Sequence, residues 1–212
     1  MRCCRWPLAW LALGLLSLPA VAAPAPKKPK GHATPQACFA AIRKAAEKKD
    51  WKAITARLTP ASREAAAGSA VLAAALLDNA LRHDAEVMKE LSATLARHGV
   101  SRDVLALALR DAGFQYRNAG GIPNARNRRW GALVKDKPGF TGAVLKMIAS
   151  FYVGRTYLGE GSLKSLKVAK GRASATITYR RTVLQTPPDT PVFFIKGKDG
   201  WKMGFVEAEK AE

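Results

Sequence analysis

Apolar residues recur at helical spacing from residue 34 to about residue 111 and again from about residue 138 to 151, and the period then changes to two. Thr34-Pro35 supplies an N-cap and a proline at the first helical position, and Phe39, Ile42 and Ala46 place one apolar stripe on a helix running to about residue 49. Asp50 can cap a short second helix carrying Trp51, Ile54 and Leu58. Thr59-Pro60 repeats the start signal for a third, Ala-rich helix that reaches about Leu81 with Val71, Leu72, Leu76 and Leu77. A fourth helix over Ala85–His98 presents Val87, Met88, Leu91 and Leu95 and stops at Gly99. Ser101 caps a fifth, which runs to about Asp111 and is closed by Gly113. Residues 114–130 are rich in Gly, Asn and Arg without period, which predicts a long loop. A last helix from about Pro138 to Phe151 carries Phe140, Val144, Leu145 and Ile148.

From Leu163 the alternation takes over. Leu166 and Val168 precede a turn at Lys170-Gly171, after which Ala173, Ala175, Ile177 and Tyr179 share one face and Ser174, Thr176, Thr178 and Arg180 the other. Pro187-Pro188-Asp189 marks a reversal before residues 191–196, and Lys198-Asp199-Gly200 turns into Trp201, Met203 and Phe205. The predicted fold class is α+β: N-terminal helices packed on a C-terminal antiparallel sheet of about four strands, in a single domain over residues 34–207 with a charged tail at 208–212.

The chain begins differently. Arg2 and Arg5 precede an apolar run of 13 residues from Trp6 to Leu18, and Ala20-Val21-Ala22 reads as a cleavage site, so residues 1–22 are expected to be a signal peptide and the mature protein to be exported, periplasmic or secreted. The run is shorter than the ~20 apolar residues that span a bilayer, so no transmembrane segment is expected after cleavage. Residues 23–33 are Pro- and Lys-rich and are expected to form an exposed linker. Cys3 and Cys4 leave with the signal, so Cys38 has no internal partner and reads as a small buried or half-buried helix residue.

Charge narrows the functional classes. The full chain carries +19, and the mature part retains 33 Lys and Arg against 16 Asp and Glu, or +17. Residues 113–205 hold +13 of it, with 17 basic and 4 acidic residues. The candidate anion-binding residues are Arg117, Arg126, Arg128 and Arg129 in the predicted loop and Lys164, Lys167, Lys170, Arg172, Arg180 and Arg181 on the predicted strands, since guanidinium forks suit phosphate, sulfate and carboxylate groups. The expected partners are an anionic envelope polymer, a lipid headgroup or an acidic protein. Nucleic acid is disfavoured because the chain reads as exported and contains no recognised nucleic-acid-binding motif.

The chain resembles the nuclear-transport-factor-2-like superfamily, in particular its lumazine-binding-like secreted branch. The likeness rests on Lys49-Asp50-Trp51, Ile54 and Leu58-Thr59-Pro60 in that order, and on Val168, Gly171, Ala175, Ile177, Pro191, Phe194, Lys196 and Gly200-Trp201-Lys202-Met203 near the sheet end. It covers about half the mature chain, and the helices over residues 84–112 depart from the compact members. The resemblance implies a curved sheet whose concave face can hold a pocket. Tyr152, Tyr157, Tyr179 and Phe194 are its candidate lining residues, with Trp201 and Phe205 beside them. Superfamily enzymes place Asp, His or Tyr in that cavity, and of these the strands here offer chiefly Tyr179.

No catalytic constellation is found. His83 and His98, near Asp78, Asp84 and Glu86, lie at opposite ends of a helix about 20 Å long at 1.5 Å per residue, and read as exposed helix-end residues, His98 as a cation at a C-terminus. Motifs for a nucleophile elbow, zinc protease, P-loop or dinucleotide are absent from the sequence. The expectation is a non-catalytic binding module without cofactor or metal, with a small-molecule binder or enzyme using the sheet as the alternative.

Overall fold

The computed structural model describes residues 32–112, 127–151, 160–179 and 189–205. Its elements are α1 (Pro35–Glu47), α2 (Trp51–Ala56), α3 (Pro60–Ala80), α4 (Ala85–His98), α5 (Arg102–Ala112), α6 (Arg128–Ala132) and α7 (Lys137–Phe151), followed by β1 (Gly161–Ala169), β2 (Arg172–Tyr179), β3 (Thr190–Gly197) and β4 (Gly200–Gly204). The fold is α+β, with the strands in one antiparallel meander of order β1-β2-β3-β4. Among the described residues no helix is long and apolar enough to cross a membrane. The predicted signal peptide and most of the predicted linker lie outside the described residues, as does the tail.

The caps explain where the first helices start. Thr34 accepts the Ala37 N–H at 3.1 Å and Asp50 the Ala53 N–H at 2.9 Å, each satisfying a donor that the helix leaves without a partner. Asp84 does the same for Glu86 and Val87 at the head of α4, and Gly99, at φ 70°, closes it in the left-handed conformation. Thr59 departs from the expected pattern: its side chain makes no cap, and its N–H instead donates to the Met203 carbonyl at 2.8 Å. The start of α3 is thereby tied to the edge of the sheet rather than finished locally.

Two apolar clusters organise the interior. In the first, Cys38, Phe39 and Ile42 of α1 and Ile54 of α2 pack against Ala175, Ile177, Phe194, Trp201 and Met203 of the sheet. In the second, Ala70, Val71 and Ala74 of α3 meet Leu91 of α4, Leu105 of α5, and Phe140 and Val144 of α7. The helix α3 joins them, since Ala66 belongs to the sheet cluster and Ala67 to the helical one. Its Ser62 hydroxyl accepts the Phe205 N–H at 2.9 Å, a second tie between helix and sheet.

Two expectations about the connecting segments need correction. The end of the stretch read as a loop is helical: α6 includes Arg128, Arg129 and Trp130 and lies on α3, where a Cβ on Gly131 would collide with the Glu64 carbonyl and one on Gly68 with that of Asn127. Backbone meets backbone at this crossing, which is why a Gly-rich sequence without apolar period can pack. His32, read as linker, already belongs to the fold. Its carbonyl accepts the Trp201 N–H at 3.1 Å, and its Nε2 accepts from Arg57 at 3.2 Å.

Candidate functional site

Strand pairing assigns the paired sheet residues to one of two faces. Ala173, Ala175 and Ile177 of β2, Val192 and Phe194 of β3, and Trp201 and Met203 of β4 point toward α1 and α2 and are buried. The opposite face carries Arg172, Ser174 and Thr176 of β2, which are paired with Ile195, Phe193 and Pro191 of β3. Ile195 and Phe193 in turn face Lys202 and Gly204 of β4. On β1, Lys164 is paired with Thr176 and Lys167 with Ser174, so both lysines stand on this outward face.

That placement of the two lysines depends on a bulge. Three positions separate Lys164 from Lys167, whereas two separate their partners, and the pairing register shifts between them. Ser165 takes φ 55° in this irregularity. Strict alternation would have put the lysines on opposite faces of the sheet. Leu163 and Val168 still face the inward Ile177 and Ala173.

The outward face is therefore basic, hydroxyl-rich and free of carboxylates at its paired positions. Lys164, Lys167 and Arg172 are exposed and Lys202 half-exposed. None of the ion pairs among the described residues engages them. Asp189 and Asp199 stand outside the strands, just before β3 and in the β3–β4 turn.

The predicted loop arginines have a different setting. Arg128 lies 3.4 Å from Glu64 of α3, and Arg129 lies 2.7 Å from Asp111 of α5 with its guanidinium 4.9 Å from the Trp130 ring centroid. Both described members of that group have carboxylate partners of their own. These ion pairs join α6 to α3 and α5, and the Arg129 side chain remains 61% exposed. Arg117, Arg126, Arg180 and Arg181 lie outside the described residues.

The inner face, where the alternative reading places a pocket, is packed over its described part. Phe194 is 0% exposed within the sheet cluster, so it is a core residue rather than part of an open pocket wall. Tyr179 is half-buried against the same cluster; burial pushes its phenol pKa up, opposed by a hydrogen bond with Thr190. Tyr152 and Tyr157 lie outside the described residues. A cleft of about 560 Å³ occurs elsewhere, between α3, α4 and α5, over Ala75, Leu105 and Leu109 with Asp78, Arg82 and Arg102 at its polar positions. Arg102 is already held there by Asp78 at 3.5 Å and Ser92 at 3.1 Å.

Cys38 is completely buried, as its helical position predicts, and burial pushes its thiol up to about 11 despite Arg57 and a backbone hydrogen bond from Met203. His83 is exposed as expected, but His98 is not: only 5% of it is accessible. Burial lowers its pKa, against the opposing effect of Asp136, so the expected helix-end cation is a largely neutral buried imidazole. Among the described residues no group of His, Cys, Asp and Glu could hold a metal ion.

Sequence reasoning missed Phe193 and Lys202 as members of the outward face. Parity in residues 191–196 was the available signal, because Val192 and Phe194 pointing inward require Phe193 and Ile195 to point outward. The step of three from Leu163 to Leu166 was the corresponding signal of the bulge. A scan against protein-family models finds no match, and neither does a search of curated proteins or of solved structures.

Proposed function

We propose that this chain is an exported, non-catalytic binding module that uses the outward face of its sheet to hold an anionic partner. The observation that carries the reading is the cluster of Lys164, Lys167, Arg172 and Lys202 on a face whose paired positions hold no carboxylate. Exposed cations without local counter-charges attract polyanions through steering and release of condensed counterions. An envelope polymer, a lipid headgroup or an acidic protein would each present suitable groups. The leader-like residues 1–22 support the exported location, and the order Lys49-Asp50-Trp51, Leu58-Thr59-Pro60 and terminal sheet supports kinship with the nuclear-transport-factor-2-like superfamily.

The test is binding of the mature protein to envelope extract and to a synthetic polyanion, polyglutamate, as salt is raised. Changing Lys164, Lys167 and Arg172 together to Gln is expected to weaken both interactions and flatten their salt dependence while leaving the unfolding midpoint unchanged, because these side chains are exposed. Screening falls to about 8 Å at physiological ionic strength, so wild-type binding should decline steeply. Salt-insensitive binding unaffected by the triple change would refute the reading.

A further inference from the structure

The outward face contains one feature that charge does not explain. A Cβ on Gly204 would collide with Cζ, Cε1 and Cε2 of Phe193 together, which places the ring flat over the Gly204 backbone. Phe193 is half-buried and occupies an outward position of β3, paired with Gly204. Ser174 is its paired neighbour on β2, while Arg172 and Lys202 are both paired with Ile195, one outward step along the strands. Diagonal neighbours of this kind lie about 7–8 Å apart, a distance that long Arg and Lys side chains bridge. Lys167 continues the Phe193 row across Ser174.

We infer that this face binds an acidic polysaccharide, with the Phe193 ring as the floor for a sugar unit and Arg172, Lys202 and Lys167 as the partners of its carboxylates. The inference rests on the basic-face reading above and adds the class of partner. The negative face of an aromatic ring attracts the weakly positive C–H groups of a sugar. Arginine matches a carboxylate with two parallel donors, and the Ser174 and Thr176 hydroxyls can exchange hydrogen bonds with sugar hydroxyls. Two other polyanions fit less well. A membrane-bound surface buries a contiguous apolar patch about 5–10 Å into the interface, whereas here the Phe193 ring lies flat and the exposed Ile195 stands between Arg172 and Lys202. Single-stranded nucleic acid stacks successive bases on successive aromatics, whereas Phe193 is the only aromatic at the described outward positions.

The experiment measures binding of alginate, a polyuronate, by calorimetry, with uncharged dextran, oligo-dT and phosphatidylglycerol vesicles as comparisons. Wild-type protein should bind alginate more tightly than the oligonucleotide or the vesicles and should ignore dextran. Phe193→Leu keeps apolar bulk but removes the ring face. It should weaken alginate binding about tenfold, or about 1.4 kcal/mol, with the salt slope retained, while Phe193→Tyr preserves affinity. Lys167→Gln with Arg172→Gln should lower both affinity and salt slope. Alginate should also shift the Phe193 ring resonances of the wild-type protein, a readout that needs no variant to fold. If Phe193→Leu binds like wild type and the ring resonances stay put while the charge variant still weakens, the sugar-stacking inference fails and the basic-face reading stands. Loss of neither interaction in either variant overturns both. Tighter binding to oligo-dT or to vesicles than to alginate assigns the face to those partners and overturns the polysaccharide.

Discussion

His98 shows how tertiary packing can reverse the behaviour of a single side chain. Its ring meets Phe140 edge-on at 5.8 Å and has Nδ1 3.8 Å from the Asp136 carboxylate, whose other oxygen accepts the Gly139 N–H at 3.0 Å near the start of α7. Burial lowers the pKa, Arg97 and Lys52 add to the lowering, and Asp136 opposes it. The unfolded chain therefore takes up a proton near the ordinary value of about 6.5 before the folded chain does. Stability contributed in this way is present at neutral pH and is lost as pH falls through that range, levelling once the folded form also protonates. His32, whose pKa is also lowered by burial and by Arg57, acts with the same sign. The urea midpoint should thus drop between about pH 7 and pH 5, and His98→Phe should reduce the drop. A midpoint constant across that interval would contradict the assignment.

At the level of helices and strands, the informative contacts are those where two backbones approach. Gly131 of α6 rests on the Glu64 carbonyl of α3, and Gly68 of α3 on that of Asn127, so a methyl group at either position has no flexible neighbour to displace. Gly68→Ala would gain up to ~1 kcal/mol in helix propensity but must separate the helices. Overpacking of this type costs roughly 1–3 kcal/mol or more, and the net expectation is destabilisation in denaturant titration. The sheet has a complementary anchor in Trp201, whose side chain is buried in the α1–sheet cluster while its backbone N–H donates to the His32 carbonyl. Trp201→Ala should cost roughly 3–5 kcal/mol, read from the same titration. An unchanged midpoint would mean that its indole does not carry the packing assigned to it.

Across the chain as a whole, charge and placement act together. Within the +13 of residues 113–205, Arg128 and Arg129 pair with Glu64 and Asp111, while the bulge in β1 adds Lys164 to the side already bearing Lys167 and Arg172. On the proposed function, the anionic partner would meet the protein outside the cytoplasm. If the leader is processed as its sequence suggests, N-terminal sequencing of the exported form should begin at or within a few residues of Ala23, and an intact Met1 would overturn that expectation.

The helix starts at Thr34-Pro35 and Asp50, the stop at Gly99, the period-two strands and the buried Trp201 were legible because each is specified by neighbours within a few positions. Caps, turns and amphipathic stripes are local physics, and they led directly to an α+β chain with a meandering sheet. The face of Lys164 was not legible in that way, because a one-residue bulge inverts side-chain direction and its register is decided by pairing with β2. Nor was the fate of Arg128 and Arg129, whose partners lie 64 and 18 positions away in sequence. Phe193 and Gly204 come together only when β3 pairs with β4. Charge and periodicity can be summed along a chain, but cancellation of charge and stacking of a ring depend on which distant residues folding brings within a few ångströms.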